Sequence, residues 1–304
     1  MCTSAHSLKP ETMPIVTLPA AIDRILEWMD ASPRVLIGAG AGLSVAAGID
    51  YTDTESFARL YPGMRRRGFR ACYELIGRHN LPPAAFWGYW AVHVQEARFS
   101  PVVAPVYAAL REITASKDVF VVTSNVDAMF VRHGFDADRV WTPQGDFAHM
   151  HCTTHRYASC REHVWPSQPM IERVLGGLDP VTQEVTDTAA LPACPSCGGT
   201  VFFNVREDAT FVDAPYMDHA RRCTEWIDAA VADRPLLILE IGAGFNTPGV
   251  VRYPLERLAA RHPNTRFVRI NREYPEIPRE LRNRAIGLDD DAGNVLLALR
   301  ARSR

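Results

Sequence analysis

Lysine is almost absent from this chain. Of its 304 residues only Lys9 and Lys117 are lysines, so arginine supplies nearly all of the 33 basic side chains. A bias in coding composition accounts for that preference. An excess of either charge is missing too. The 33 basic and 35 acidic residues leave a net charge of -2, which argues against a nucleic-acid-binding surface as the main activity. No apolar run approaches the length of a membrane span. The N-terminus has no hydrophobic stretch of the signal-peptide kind, and Met1-Cys2 is not a myristoylation signal, so cytoplasmic residence is expected. Internal repeats and low-complexity segments are absent. What is present is ordinary for a soluble globular protein: 47% hydrophobic and 22% charged residues. The length allows one large domain with a small satellite. Of seven cysteines, four group between 152 and 197, which fits a metal site better than a disulfide framework.

The chain is organised around residues 35–49. Val35, Leu36 and Ile37 form a short apolar run, the pattern of a buried parallel strand. Gly38, Gly40 and Gly42 follow at once, and Leu43 to Ile49 has helix-compatible spacing. Strand, glycine turn and helix start together make a cradle for an anionic group, because free N–H groups and the helix dipole favour negative charge there. The third glycine comes one residue too early for the common dinucleotide fingerprint. A tight turn with no ligand is the plain alternative.

Residues 1–18 carry no periodic pattern and read as a flexible tail. Ala20 to Asp30 places Ile22, Ile25, Leu26 and Met29 on one face of an amphipathic helix. Residues 53–98 form a helical insertion rich in aromatics. Core packing of short helices explains most of them; a lid over a ligand is the sharper reading. Within it a helix runs from Pro82-Pro83 to about Arg98, and another covers Tyr107 to Ala115. Val119 to Thr123 is the next buried strand. It ends in Ser124-Asn125-Val126-Asp127, where ligands bind in open α/β sheets, and Ala128 to His133 continues as a helix. Asn125 as an N-cap and Asp127 as a complement to a helix N-terminus are the plain roles. Val140 to Pro143 is a short strand leading to Gln144-Gly145.

A stretch rich in cysteine and histidine follows, with His149, His151, Cys152, His155 and Cys160. About thirty residues of Pro/Gly-punctuated loop separate it from Cys194-x-x-Cys197, which has zinc-knuckle spacing. One structural zinc on Cys152, Cys160, Cys194 and Cys197 is the favoured reading. A site using His149, His151 or His155, or a module without metal, are the alternatives. Val201 to Val205 reads as a strand returning to the large domain, and Tyr216 to Ala232 as a helix. Leu236 to Ile241 is the clearest buried strand. A second glycine-rich turn, Gly242 to Gly249, leads into a helix over 250–261. Strands at 266–270 and 285–288 follow, the first ending at Asn271 and Glu273, and Asp289 to Asp291 cap a terminal helix. The fold class is α/β: a Rossmann-like parallel sheet with helices on both faces, built from 19–145 and 206–304, with a small zinc-binding module inserted at 146–205.

Three motifs resemble those of the sirtuin (Sir2) family. Gly40-Ala-Gly-Leu-Ser44 with Gly48-Ile49 is similar to G-A-G-x-S-x-x-x-G-I. Thr123-Ser-Asn-Val-Asp127 is similar to T-x-N-x-D. Gln144-Gly145 stands where sirtuins carry a catalytic H-G, and Cys194 to Gly199 resembles half of their zinc ribbon. The departures are informative. Asp50-Tyr-Thr-Asp53 replaces P-D-F-R, the histidine is Gln144, and Gly244-Phe-Asn-Thr-Pro248 replaces G-T-S. These features resemble the macrodomain-linked class M, whose implied activity is protein ADP-ribosylation and not deacylation.

The resemblance implies NAD as cofactor, bound by Gly38, Ala39, Gly40, Ala41, Gly42, Ser44, Gly48 and Tyr51 on one side. Ser124, Asn125, Asp127 and Gln144 would face the nicotinamide ribose. Gly242, Ala243, Gly244, Asn246, Asn271, Glu273, Asp291 and Ala292 would face the adenosine. Surface charge is the plain role of Glu273. Asn125, Asp127 and Gln144 are the implied catalytic set. Gln144 cannot act as a base, because an amide has no pKa near neutrality. That hinders the multi-step acyl transfer of a deacylase and leaves one-step attack by a protein nucleophile open. A lipoyl-carrier protein of the glycine-cleavage H type is the implied acceptor, with a macrodomain hydrolase reversing the mark. A lysine deacylase and a non-catalytic NAD-sensing module are the other two readings.

Overall fold

The computed structural model describes residues 17–304 apart from 102 and 234. The expected tail therefore lies, through residue 16, outside the described residues, while Leu18 already opens the first helix, Leu18–Ala31, with proline in its first turn. Nine strands are named here in chain order: β1 (Arg34–Ala39), β2 (Asp118–Thr123), β3 (Val140–Trp141), β4 (Gly145–Cys152), β5 (Trp165–Pro166), β6 (Val201–Val205), β7 (Leu236–Ile241), β8 (Thr265–Ile270) and β9 (Ala285–Leu288).

Six of them form one sheet in the order β3-β2-β1-β7-β8-β9, every pairing parallel. Strand residues alternate between faces, and the sheet buries both. Val35, Ile37, Leu237, Leu239 and Val268 face one core with the helices Leu18–Ala31, Pro105–Ile113 and Ala292–Arg302. Leu36, Phe120, Ile238 and Phe267 face the other, against Trp226 and Ala230 of helix Met217–Asp233 and Leu255 and Ala259 of helix Arg252–Arg261. Burying each such aliphatic side chain contributes about 1.5–3 kcal/mol. The α/β architecture with helices on both faces is the one expected.

A third core is built elsewhere. The segment after β1 carries the helices Thr54–Leu60, Pro62–Arg66 and Pro83–Val94. Their aromatic residues pack on a three-stranded antiparallel sheet of order β5-β4-β6. Trp90 meets Phe202 edge-on at 5.1 Å, and Phe147 meets Phe203 at 5.6 Å. So β6 does not return to the large sheet, as its apolar pattern suggested; it pairs with β4, where Phe202 and Phe203 are covered by the helical segment. The helix through Pro83 stops being α at Val94 and widens into a π turn over Gln95–Phe99. The segment read as thirty residues of loop contains a helix, Gln168–Leu175, that buries Ile171 and Val174. No helix among the described residues is long and apolar enough to cross a membrane.

Candidate active site

The cleft forms where the parallel strands end. Each strand's exit is tied to the next: Ser124 N donates to Ala39 O at 3.0 Å, Gly40 N to Ile241 O at 3.0 Å, and Gly242 N to Ile270 O at 2.9 Å. The two glycine turns interlock. Gly42 N donates to Gly242 O at 3.0 Å, and a Cβ on Gly42 would fall 2.7 Å from the Gly242 Cα. Gly242 has φ +64°, a left-handed conformation that side chains rarely adopt. Only glycines let these backbones approach so closely.

The resulting cleft, about 560 Å³ in volume, is lined by Gly40, Ala41, Gly42, Ser44, Tyr51, Ser124, Asn125, Asp127, Gly242, Ala243, Gly244, Asn246, Asn271, Glu273, Asp291 and Ala292. The structure thus gathers most of the residues singled out from the sequence, drawn from beyond the ends of five strands, β1, β2, β7, β8 and β9. Four stand apart from this lining. A Cβ on Gly38 would strike Leu255 at 2.1 Å, so that glycine serves the helix packed behind β1. Ala39 is buried within the strand. Gly48, at φ +91°, turns the chain after the short helix Ala41–Ala46. Gln144 is half-buried in the turn before β4, where its carbonyl accepts from Arg206 N at 3.0 Å.

Asp127 is the buried acid of the cleft, 6% exposed. Ser44 Oγ donates to its Oδ2 at 2.6 Å and Met129 N to its Oδ1 at 3.0 Å. Burial raises its pKa, and the two donors pull it part of the way back. One carboxylate oxygen therefore does serve a helix N-terminus, while the other faces Ser44. Asn125 is not an N-cap: its Nδ2 donates to Gly40 O at 3.0 Å, bracing the glycine turn. Burial, and secondarily the neighbouring Asp127, hold the Tyr51 phenol well above its ordinary range.

At the far end, Asn271 Nδ2 donates to Ala243 O at 3.0 Å, while its Oδ1 accepts from Glu273 N and Tyr274 N, each at 3.0 Å. Asp291 caps the terminal helix through Gly293 N at 2.8 Å and pairs with Arg272 at 2.9 Å.

Sequence reasoning missed several residues. Arg252, 3% exposed, donates to Ala243 O and Tyr274 O, both at 3.2 Å, and so ties together two loops of the cleft. Beside it Arg269 pairs with Glu240 through two hydrogen bonds of 2.6 and 2.9 Å in the middle of the sheet. Nothing in a run of helical arginines marks Arg252 out. Tyr107 is fully buried with an unpartnered hydroxyl beside Asp127; its spacing reads only as core. Tyr73, Ile76 and Tyr274 also line the cleft.

In the smaller sheet Cys152, Cys160, Cys194 and Cys197 bring their sulfurs within 4.8 Å of one another. Cys152–Cys197 and Cys160–Cys194 are each 3.7 Å apart. Thiolates about 2.3 Å from a tetrahedral ion stand about 3.8 Å apart, so this set fits zinc. The wide spacing of Cys152 and Cys160 is spanned by the end of β4 and a short helix, Ala158–Arg161. His149, His151 and His155 are outside the set; His151 Nε2 lies 2.9 Å from Thr210 Oγ1 instead. Four closed thiolates leave no position for catalysis.

Among solved structures, a Sir2 homologue in complex with ADP-ribose matches at a TM-score of 0.56 with 19% identity, covering 92% of this chain and 95% of its own. A Sir2 homologue–NAD complex matches at 0.56 with 20% identity, covering 92% and 93%. The chain has the sirtuin fold. Among proteins of known name, this sirtuin-fold chain is 34% identical over 241 residues to a probable bifunctional ADP-ribose hydrolase/ADP-ribosyltransferase of Fusarium oxysporum f. sp. cubense, over 77% of the present chain. The chain spans only 39% of that relative's length. It is 24% identical over 275 residues to a protein ADP-ribosyltransferase of Staphylococcus aureus, covering 88% of this chain and 83% of the relative. It is 26% identical over 133 residues, 43% of this chain and 53% of the relative, to an NAD-dependent protein deacetylase of Listeria monocytogenes. No family model matches.

Proposed function

We propose that the chain is an NAD-dependent protein ADP-ribosyltransferase of the class M sirtuin type. The observation that carries this reading is the composition of the cleft: a buried Asp127 held by Ser44, with no histidine among the described lining residues. The names of the Fusarium and Staphylococcus relatives support it. The pyrophosphate of NAD lies at the Gly40–Ser44 turn, where backbone N–H groups favour an anion. Its adenosine runs along Gly242–Asn246 and Asn271–Glu273. Its nicotinamide ribose faces Asn125 and Asp127. Breaking the bond to nicotinamide would develop positive charge on the ribose, which the buried Asp127 carboxylate would stabilise. A nucleophile of the acceptor protein then forms a bond to the ribose C1′ as nicotinamide leaves. Asp127 orients or deprotonates that nucleophile, and Gln144 acts through hydrogen bonding from the turn before β4.

The acceptor in this reading is a lipoyl-carrier protein of the glycine-cleavage H type, with a macrodomain hydrolase as functional partner; the double name of the Fusarium relative supports the link. The four cysteines bind one structural zinc, and their grouping as thiols supports a cytoplasmic site of action. A lysine deacylase is the second reading, favoured by the Listeria relatives. Incubation with labelled NAD, a lipoyl-carrier protein and an acetyl-lysine peptide separates the two. Label on the carrier supports transfer. Deacetylated peptide with no protein labelling would return the chain to the deacylases.

A further inference from the structure

Behind Tyr51 runs a hydrogen-bonded chain that the reaction outlined above leaves unused. The Tyr51 phenol oxygen lies 3.2 Å from Nε2 of His93, and Nδ1 of His93 lies 3.1 Å from the Tyr61 phenol oxygen. His93 and Tyr61 are each 3% exposed. The imidazole is clamped by aromatic rings: Tyr51 meets it edge-on at 4.9 Å, Trp90 edge-on at 5.4 Å, and Tyr89 stacks on it at 5.5 Å. Both ring nitrogens are therefore held toward the two phenols. Phe147, edge-on to the same ring at 5.8 Å, donates its N–H to Val126 O at 3.1 Å, next to Asp127.

The chemistry of the three groups allows two directions only. Burial keeps His93 neutral, its pKa lowered to about 4, and a neutral imidazole offers one donor and one acceptor. Either Tyr61 donates to His93 and His93 to Tyr51, or the sequence runs backwards. The Tyr51 end opens on the cleft, whose lining it shares with Asp127. Besides burial, the charge of Asp127 reaches the Tyr51 phenol and helps hold its pKa up, which favours an O–H turned to the cleft side. That selects the first direction: Tyr61 O–H to Nδ1, Nε2–H to the Tyr51 oxygen, and the Tyr51 O–H free for the cleft.

We propose that Tyr61 and His93 are positioning residues that fix Tyr51 as a hydrogen-bond donor at the reacting end of the cleft, beside Asp127. The role of that donor rests on the reading of the cleft as the place where NAD loses nicotinamide. No proton is transferred; the relay fixes a direction and a place. It joins the helical segment to the chemistry of the parallel sheet.

The test uses the full chain with histidines labelled at the ring nitrogens. Long-range proton–nitrogen correlations report the tautomer of His93, assigned by its loss in His93→Gln or by the shift that Tyr61→Phe causes. The Nε2–H tautomer is expected, and Nδ1–H overturns the proposal. Kinetics with NAD alone, read as nicotinamide release, supply a second arm. Tyr51→Phe should lower kcat about tenfold and Tyr61→Phe about threefold, each a hydrogen bond's worth, with little change in KM. Tyr61→Phe added to Tyr51→Phe should do nothing more. Additive losses, or full activity of Tyr51→Phe, overturn it. A chain that neither binds NAD nor releases nicotinamide refutes the proposed function instead, and the tautomer still decides the relay.

Discussion

Ser44 and Asp127 come from different strand ends and meet across 2.6 Å, hydroxyl to carboxylate, at the floor of the cleft. The pair fixes the acid of the site on the glycine turn, so that the turn proposed to receive an anion also orients a carboxylate. Burial raises the Asp127 pKa above its ordinary value of 3.8. A native carboxyl so raised binds more protons than the unfolded chain between the ordinary and the raised value. Its contribution to stability is therefore present at low pH and declines as pH rises through that window. Asp127→Asn cannot ionise and should lack this decline. Melting temperatures of both proteins, from the carboxylate range up to neutrality, check it; parallel curves contradict the shift.

The same residues should separate in activity. Asn125→Ala and Asp127→Ala should each lower transfer of labelled ADP-ribose by about a hundredfold or more, through lost positioning or proton transfer. Gln144→Ala should lose less, since it removes a hydrogen bond from outside the cleft lining. Gln144→His should not create efficient deacylation. A Gln144→Ala protein as impaired as Asp127→Ala would assign Gln144 a central role.

Gly244 lines the cleft, and a Cβ added there would meet nothing within 4 Å. Gly244→Val should fold normally and lose affinity for NAD in calorimetry. Gly40 is the poorer probe, because a Cβ there would meet Gly242 O at 2.6 Å and Ala243 Cα at 2.7 Å. Gly40→Ala should lower stability by about 1–3 kcal/mol through overpacking. Unchanged NAD affinity in a folded Gly244→Val protein would place the ligand elsewhere.

Protein purified without chelator should contain one zinc per chain by elemental analysis. Cys160→Ser should lose the metal and melt earlier, because binding at such a site is coupled to folding. A stable Cys160→Ser protein with full zinc would require a different ligand set.

Much of this was legible in the chain. Leu236 to Ile241 announces a strand buried on both faces, and the glycines at 40, 42 and 242 announce close backbone approach. Asn125 and Asp127 were legible because they follow an apolar strand at the end where ligands bind in open α/β sheets, and Ser44 because Gly40-Ala-Gly-Leu-Ser44 resembles a sirtuin motif. Other features depend on partners the chain does not name locally. The strand Val201–Val205 looks like any returning strand until β4 is known to lie beside it. The helix Gln168–Leu175 was hidden because Pro169, Gly176 and Gly177 read as loop punctuation, although proline in a first turn begins a helix. Arg252 and His93 look like residues of a helix surface and a helix core; only the distances reveal what each holds.

The interlocked glycine turns bear on how the molecule is made. Gly40 and Gly42 lie against the backbone of Gly242 and Ala243, some two hundred positions later. A chain emerging from the ribosome has its first strand and first turn long before β7 exists to flank them. Local helices can gather early, yet this wall of the pocket has no counterpart until the chain has been made through Ala243. Contacts of such sequence separation form late and slowly. The pocket therefore closes long after its first motif has been made, and nascent fragments ending before residue 242 carry that motif without the facing turn.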